Sequence, residues 1–511
     1  MTAVSVALAG LGDKLAAHVL LSAAAILLGL AIALPLAVWA ARSATVARAA
    51  LGFASLVQTI PALALLALFF PVLLSLRAVF GEALPTLGFL PALLALALYA
   101  LLPILRNAVT AQANLDPGVI EAADAMGMTP AQKLRLVEAP LAAPFVMAGV
   151  RTAAVWTIGA ATLATTVGQP SLGDPIFAGL QTQNWALVLA GCIAAAGLAL
   201  MADGLLGLIE RGIARCSRFQ WLGALGVVVA GVALAAASYS GLAARDERRV
   251  VIGAKTFSEQ YILARLIGQR LERAGYSVAY RDGLGSAVAH GAVTSGQVDV
   301  LVDYTGTIWT NEMKRADNPE RSAMLAALTE WERKTTGTLV LGRLGFENAY
   351  GLAMTRTGAR GMTSIADLAA RAPGLTIGGD PEFFERPEWR AVRDAYGLKF
   401  ARQRNFAPTF LYDALASGEA DVISAYTSDG RIAADDLVVL ADPKRAFPNY
   451  DAIVLVGSRA SRDAALVAAL RPLMGRIDVA AMQGANYSVD RAADKLPPEE
   501  AARALDTALS R

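Results

Sequence analysis

Six stretches of this sequence stay apolar for long enough to cross a bilayer as helices: Leu15 to Ala41, Ala50 to Leu76, Leu87 to Leu105, Met147 to Val167, Trp185 to Ile209 and Trp221 to Leu242. About 30 Å of hydrocarbon takes roughly 20 apolar residues in a helix. A buried helix of a water-soluble protein rarely needs apolar residues on every face for so long. In lipid every backbone N–H and C=O must find its partner within the segment, so each run is expected to be helical. Pro35, Pro61, Pro71 and Pro103 fall inside the runs and are tolerable where neighbouring helices cover the carbonyls they free. The expectation is an all-α polytopic membrane domain of six spans over residues 1–243.

The distribution of charge places the end of that domain. Up to Ala243 there are 11 basic and 9 acidic residues, whereas the remaining 268 positions hold 34 of each. The apolar part carries +2 and the rest is neutral, so no basic surface of the kind nucleic acid requires is present. The two cysteines, Cys192 and Cys216, both lie in the apolar part, and the polar part must therefore rest on an ordinary core rather than on disulfides. A polar linker is expected at 244–249, and a separate domain over 250–511.

Lys and Arg concentrate in alternate loops. Arg42 and Arg48 follow the first span, Arg106, Lys133 and Arg135 the third, and Arg211, Arg215 and Arg218 the fifth. Positive loops face the cytoplasm, so the sixth span is expected to lead out of it and the domain from Val250 onward to be extracytoplasmic.

The cytoplasmic connection over 107–145 reads as helical. Asp116 can cap a helix that begins with Pro117, Gly127 can end it, and Thr129 with Pro130 can start another. With Glu121-Ala122-Ala123, Gly127 and Val137-Glu138-Ala139-Pro140, this segment resembles the coupling loop of binding-protein-dependent ABC importers. Ala139 stands where that family usually has Leu. The resemblance implies a type I permease whose loop, through Glu121, Ala122, Ala123, Gly127 and Pro140, docks on a separate ATPase. The chain carries no phosphate-binding loop of its own: Gly253-Ala254-Lys255-Thr256 imitates the end of one, but position 248 is Arg rather than Gly.

After Arg249 short apolar runs alternate with helical patterns, which is the signature of α/β folding. Strands are predicted at 250–254, 277–280, 298–302, 375–379, 420–425 and 453–457, with helices at 258–274, 286–295 and 409–417 and a last one near Pro497 and Pro498. Two α/β lobes with a cleft between them, as in periplasmic binding proteins, accommodate such a length. The motifs Lys255-Thr256-Phe257-Ser258-Glu259-Gln260, Asp303-Tyr304-Thr305-Gly306-Thr307, Asn348-Ala349-Tyr350-Gly351-Leu352, Tyr426-Thr427-Ser428-Asp429-Gly430-Arg431 and Phe447-Pro448-Asn449-Tyr450 resemble the substrate-binding component of osmoprotectant ABC importers for glycine betaine, choline and carnitine. That family includes permeases fused to their binding protein, so the resemblance covers nearly the whole chain.

The ligand chemistry can be argued separately. A quaternary ammonium has no N–H, and a protein can hold it only by apolar contact and by aromatic faces, at about 0.5 to 2 kcal/mol per ring. Several rings are needed, and Tyr304, Tyr350, Tyr426 and Tyr450 all lie at strand ends or loops, where clefts of open α/β folds are lined. The resemblance makes these four the cage, and gives Gln260, Thr307 and Asn348 the polar end of the ligand. Any one of these tyrosines could instead be a core residue with a satisfied hydroxyl.

His290 has no second histidine outside the membrane part, so no metal site is expected, and no nucleophile and base constellation suggests catalysis. Arg151 and Asp203 are read as residues snorkelling near span ends, and Arg386 to Arg404 as a solvated helix face. The expectation is a multi-pass protein of the bacterial inner membrane with no cofactor, paired as a homodimer with two copies of an ATP-binding partner. It would import a small quaternary ammonium solute and bind no nucleic acid. Alternatives are another betaine-like solute such as ergothioneine, a ligand sensor, and an anchored enzyme.

Overall fold

The structure, a computed structural model, describes residues 3–81, 84–181, 184–243, 248–315, 317–407, 410–491 and 493–510. Most of the expected linker, 244–247, lies outside the described residues. The chain divides into two compact units near Arg245.

The first unit is entirely helical among its described residues, and six of its helices are long and apolar enough to span a membrane: Gly12–Arg42, Ala62–Phe80, Phe89–Ala113, Pro130–Val167, Trp185–Ala214 and Arg218–Tyr239. The second predicted span needs correction. Ala50 to Leu76 is not one helix but parts of two, Ala44–Thr59 and Ala62–Phe80, separated at Ile60, whose backbone is extended. Pro61 is the cause, because its ring disfavours helical geometry in the residue before it. Pro103, in contrast, sits inside Phe89–Ala113. The carbonyl it frees, that of Tyr99, accepts a hydrogen bond from Gln58 Nε2 at 3.3 Å. Small residues let the helices approach closely: a Cβ on Gly29 would lie 3.1 Å from that of Ala100.

The connection after Phe89–Ala113 is shorter than expected. A helix at Pro117–Ala125 is capped by Asp116, whose side chain accepts from the Gly118 N–H, and Gly127 turns the chain at φ +73°. Thr129 and Gln132 then form a capping box. From Pro130 the helix runs unbroken into the fourth span through a π turn at Leu134–Glu138, so Pro140 lies within that span's own helix. Arg151 and Asp203 also depart from the expectation. Instead of snorkelling separately they form a bidentate pair between two spans, with Nε–Oδ1 at 2.5 Å and Nη2–Oδ2 at 2.7 Å.

The second unit contains two five-stranded sheets. One has the order β2 (Ser277–Leu284), β1 (Arg249–Lys255), β3 (Val300–Tyr304), β10 (Asp451–Val456) and β4 (Leu339–Glu347). The other has β7 (Arg402–Asn405), β6 (Thr376–Gly379), β8 (Val422–Tyr426), β5 (Tyr350–Thr355) and β9 (Leu437–Val439). β1 pairs in parallel with β2 and β3, and β6 with β7 and β8, whereas β10 and β5 run antiparallel to their neighbours. The two sheets are joined at 348–349, between β4 and β5, and at 440–450, between β9 and β10. These joints touch, the Asn348 N–H donating to the Tyr450 carbonyl at 3.0 Å. The chain thus folds as a six-span permease-type unit followed by a two-lobed binding-protein unit.

Candidate functional site

Register brings the predicted tyrosines together. β5 lies antiparallel to β8 with Tyr350 opposite Tyr426, and Tyr304 ends β3 opposite Ala452 of β10, two residues after Tyr450. Gly306 makes room for Tyr450, since a Cβ there would sit 2.8 Å from its ring. All four rings line one cavity of about 100 Å³ between the lobes, together with Phe257, Thr307 and Asn348.

The rings form a continuous run. Tyr304 and Phe257 have centroids 6.2 Å apart, Phe257 and Tyr426 6.3 Å, Tyr426 and Tyr350 5.0 Å, and Tyr350 and Tyr450 5.6 Å at 87°. Two cationic side chains already lie against it: Lys255 Nζ is 5.5 Å from the Tyr304 centroid and Arg386 Cζ is 5.5 Å from that of Tyr350. The surface therefore has the electrostatic character that attracts a cation.

A buried carboxylate fixes the ring at one end. Glu259 Oε1 accepts from the Tyr304 hydroxyl at 2.5 Å and from Asn348 Nδ2 at 3.2 Å, and its Oε2 accepts from Asn486 Nδ2 at 3.2 Å. Burial pushes the Glu259 carboxyl above its ordinary range, against the opposing bonds from Ser428, Tyr304, Asn486 and Asn348. Burial and the neighbouring Glu259 charge push the Tyr304 phenol well above its usual value, so this hydroxyl keeps its proton and donates. Lys255 is neutralised by Asp303 at 2.5 Å.

Of the polar residues expected at the ligand, Thr307 and Asn348 line the cavity and Gln260 stands behind it. Gln260 Nε2 donates to the Tyr304 hydroxyl at 2.9 Å and its Oε1 accepts from the Lys255 N–H at 3.3 Å, an arrangement that orients the ring. Sequence reasoning overlooked three charged residues. Asp380 and Arg386 line the cavity, and buried Glu388 accepts from the Tyr450 hydroxyl. The start of the 386–404 stretch is therefore not a solvated face. Its helix, Pro387–Tyr396, buries Glu388 along with Trp389, Val392 and Tyr396. Phe257 was overlooked as well, although it sits within the motif that follows β1.

Residues 248–506 match the family described as the substrate binding domain of the ABC-type glycine betaine transport system. Residues 33–215 match the binding-protein-dependent transport system inner membrane component. The chain is 30% identical over 449 residues to the ergothioneine transport permease/ergothioneine binding protein EgtU of Helicobacter pylori (strain G27), covering 84% of this chain and 78% of that one. The chain belongs to the ABC importers of betaine-type solutes, as a permease fused to its substrate-binding domain. The permease part of this importer subunit is 39% identical over 194 residues to the choline transport system permease protein OpuBB of Bacillus subtilis (strain 168), over 38% of this chain and 84% of that one. Its binding part is 34% identical over 269 residues to the glycine-betaine-binding protein of Pseudomonas aeruginosa, over 49% of this chain and 85% of that one.

In the permease part, Glu121 and Ala122 are exposed on the Pro117–Ala125 helix and Ala123 is buried beneath it. Gly127 and Pro140 are exposed as well. Lys133 Nζ meets Asp124 at 2.8 Å and ties the short helix to the start of the fourth span. Beside the turn Met126 is 78% exposed, an apolar side chain left uncovered at a loop apex.

Proposed function

We propose that this importer subunit captures a small solute carrying a trimethylammonium group on its extracytoplasmic domain and passes it through its own membrane spans. The observation that carries the reading is the unbroken run of rings from Tyr304 through Phe257, Tyr426 and Tyr350 to Tyr450 on one cavity wall. A headgroup without N–H donors can be gripped only by such faces. Thr307 and Asn348 are placed to meet the solute's polar end, and Arg386, 3.5 Å from Glu388, lines the same cavity.

Energy comes in this reading from a separate ATPase that docks on the segment holding Glu121, Ala122, Ala123 and Gly127. Two chains and two ATPase copies form the complete importer, since one loop per chain matches one cleft per ATPase. The loops rich in Lys and Arg, including Arg42, Arg48, Lys133 and Arg135, orient this segment to the cytoplasm of a bacterial inner membrane.

A second reading concerns the solute alone. The Helicobacter relative, whose match spans both units, is named for ergothioneine, and this favours a larger betaine over glycine betaine, choline or carnitine. Calorimetric titration of the detergent-solubilised chain with glycine betaine, choline, carnitine and ergothioneine tests both. Binding of at least one at micromolar concentration is expected, and silence from all four would remove the assignment.

A further inference from the structure

Two of the cage rings are backed by buried carboxylates. The Tyr304 hydroxyl donates to Glu259 Oε1 at 2.5 Å and the Tyr450 hydroxyl donates to Glu388 Oε1, so an acid stands at the far end of each phenol. Glu259 and Glu388 are both 3% exposed. Neither lines the cavity of the rings, and each meets a solute held there only through its tyrosine.

The bonding around Glu259 calls for a charged acceptor. Gln260 Oε1 accepts from the Lys255 backbone N–H, which turns the Gln260 amide nitrogen toward the Tyr304 oxygen at 2.9 Å. The Tyr304 proton is thereby directed to Glu259. Asn486 Nδ2 is fixed by the Ser428 carbonyl at 2.9 Å and donates to Glu259 Oε2, while Asn348 Nδ2 donates to Oε1. The Ser428 side chain adds a further bond. Both carboxylate oxygens therefore accept, and their donors are neutral groups that favour the ionised form against the burial opposing it.

The charges around the rings do not balance. Lys255 and Arg386 are the cations of the cavity wall, against Asp380 in the same wall and Asp303, Glu259 and Glu388 behind it. Four carboxylates face two cations, and in a site closed off from water such an excess is little screened. A phenol that donates to an anion is also polarised by it, which deepens the negative face its ring presents to a cation.

We propose that Glu259 and Glu388 are specificity-determining residues that act through Tyr304 and Tyr450: their negative charges make the cage select a permanent cation over an uncharged group of the same shape. The inference rests on the cage reading above and deepens it, because the preference for charge comes from the carboxylates behind the rings as well as from the rings.

The test is titration of the full chain in micelles, at mildly alkaline pH, with two pairs of compounds: choline against 3,3-dimethylbutan-1-ol, and glycine betaine against 3,3-dimethylbutanoate. Within each pair only the quaternary nitrogen is exchanged for carbon, so packing and the polar end cancel from the ratio of affinities. Glu259→Gln and Glu388→Gln each keep an oxygen that accepts from the tyrosine and remove the charge. Each should lower the preference for the cation roughly threefold or more. A structural role alone would weaken both members of a pair equally, and an unchanged ratio in the variants that fold, as judged by thermal unfolding, overturns the proposal. Should Glu259→Gln not fold, Glu388→Gln decides alone. Equal affinity of the unaltered chain for cation and carbon analogue overturns it as well. Failure of both cations to bind defeats the cage itself, an outcome distinct from an unchanged ratio.

Discussion

The Tyr450 hydroxyl, beside β10 of one lobe, donates to the Glu388 carboxylate on a helix of the other. Burial and the adjacent Glu388 charge push the Tyr450 phenol well above its ordinary value, so it remains a donor. The bond crosses the cleft and holds a cage ring, which couples lobe closure to the shape of the site. Glu388→Ala leaves that hydroxyl buried without an acceptor, at a cost of about 1–3 kcal/mol. Solute affinity is expected to fall roughly tenfold or more, with scattering reporting a more open binding domain at subsaturating solute. Unchanged affinity would separate closure from this contact.

Tyr304 and Tyr426 should respond differently to loss of a hydroxyl. Tyr304 donates to fully buried Glu259, whereas Tyr426 donates to the Tyr350 hydroxyl at 3.3 Å. Tyr304→Phe removes a donor from a buried carboxylate and should lower stability by about 1–3 kcal/mol. Tyr426→Phe should cost less than about 1 kcal/mol. Replacing either by Ala removes a ring and should weaken trimethylammonium binding at least tenfold, about 1.4 kcal/mol. Thermal unfolding and calorimetry on the same four variants check both effects.

Asp490 gives the binding domain a pH dependence of definite sign. Burial pushes its carboxyl up to about 6 from an ordinary 3.8, more than Arg431 can offset. The folded state therefore holds this proton more tightly than the unfolded chain. The resulting stabilisation is complete below about pH 4 and is lost as pH rises through about 6. A shift of about two units corresponds to roughly 3 kcal/mol. Asp490→Asn, which can still accept from Ser258, should raise the melting temperature at about pH 8 and have little effect near pH 4. Equal shifts at both values would rule out the linkage.

Local chemistry made much of this legible. The alternation of short strands and helices fixed the two-lobed unit, and Asp116, Gly127 and Thr129 marked the helix starts and the turn of the 107–145 segment because capping is a matter of neighbours in sequence. What escaped depends on distant partners. Arg386 precedes the helix Pro387–Tyr396 and Glu388 lies in its first turn, where the pattern of charges resembles an exposed face, but the Tyr450 hydroxyl of the other lobe meets Glu388 and the Tyr350 ring of β5 lies against Arg386. The resemblance gave Gln260 to the polar end of the ligand, yet its amide donates to Tyr304, a ring 44 positions away. The break at Pro61 and the continuity at Pro103 have the same sequence signal. Their outcomes differ: Ile60 before Pro61 is extended, whereas the helix continues through Pro103, and the carbonyl that Pro103 frees accepts from Gln58.

The pair between Arg151 and Asp203 gives the membrane unit its own test. Arg151 lies on Pro130–Val167 and Asp203 on Trp185–Ala214, and Glu210 Oε2 is 3.5 Å from Arg151 Nη1. Their side chains are 41% and 32% exposed in the single chain, which places the pair between a surface bridge and a buried one. Arg151→Leu strands two carboxylates against apolar helices and should lower the melting temperature of the solubilised chain, by an effect of about 1–3 kcal/mol. Asp203→Leu alone should cost less, because Glu210 can still pair with the guanidinium. Arg151→Leu combined with Asp203→Leu should recover part of the loss, since only Glu210 remains and it can turn toward solvent. Single and double variants that simply add would mean that the two side chains act independently and that the contact does not hold these spans together.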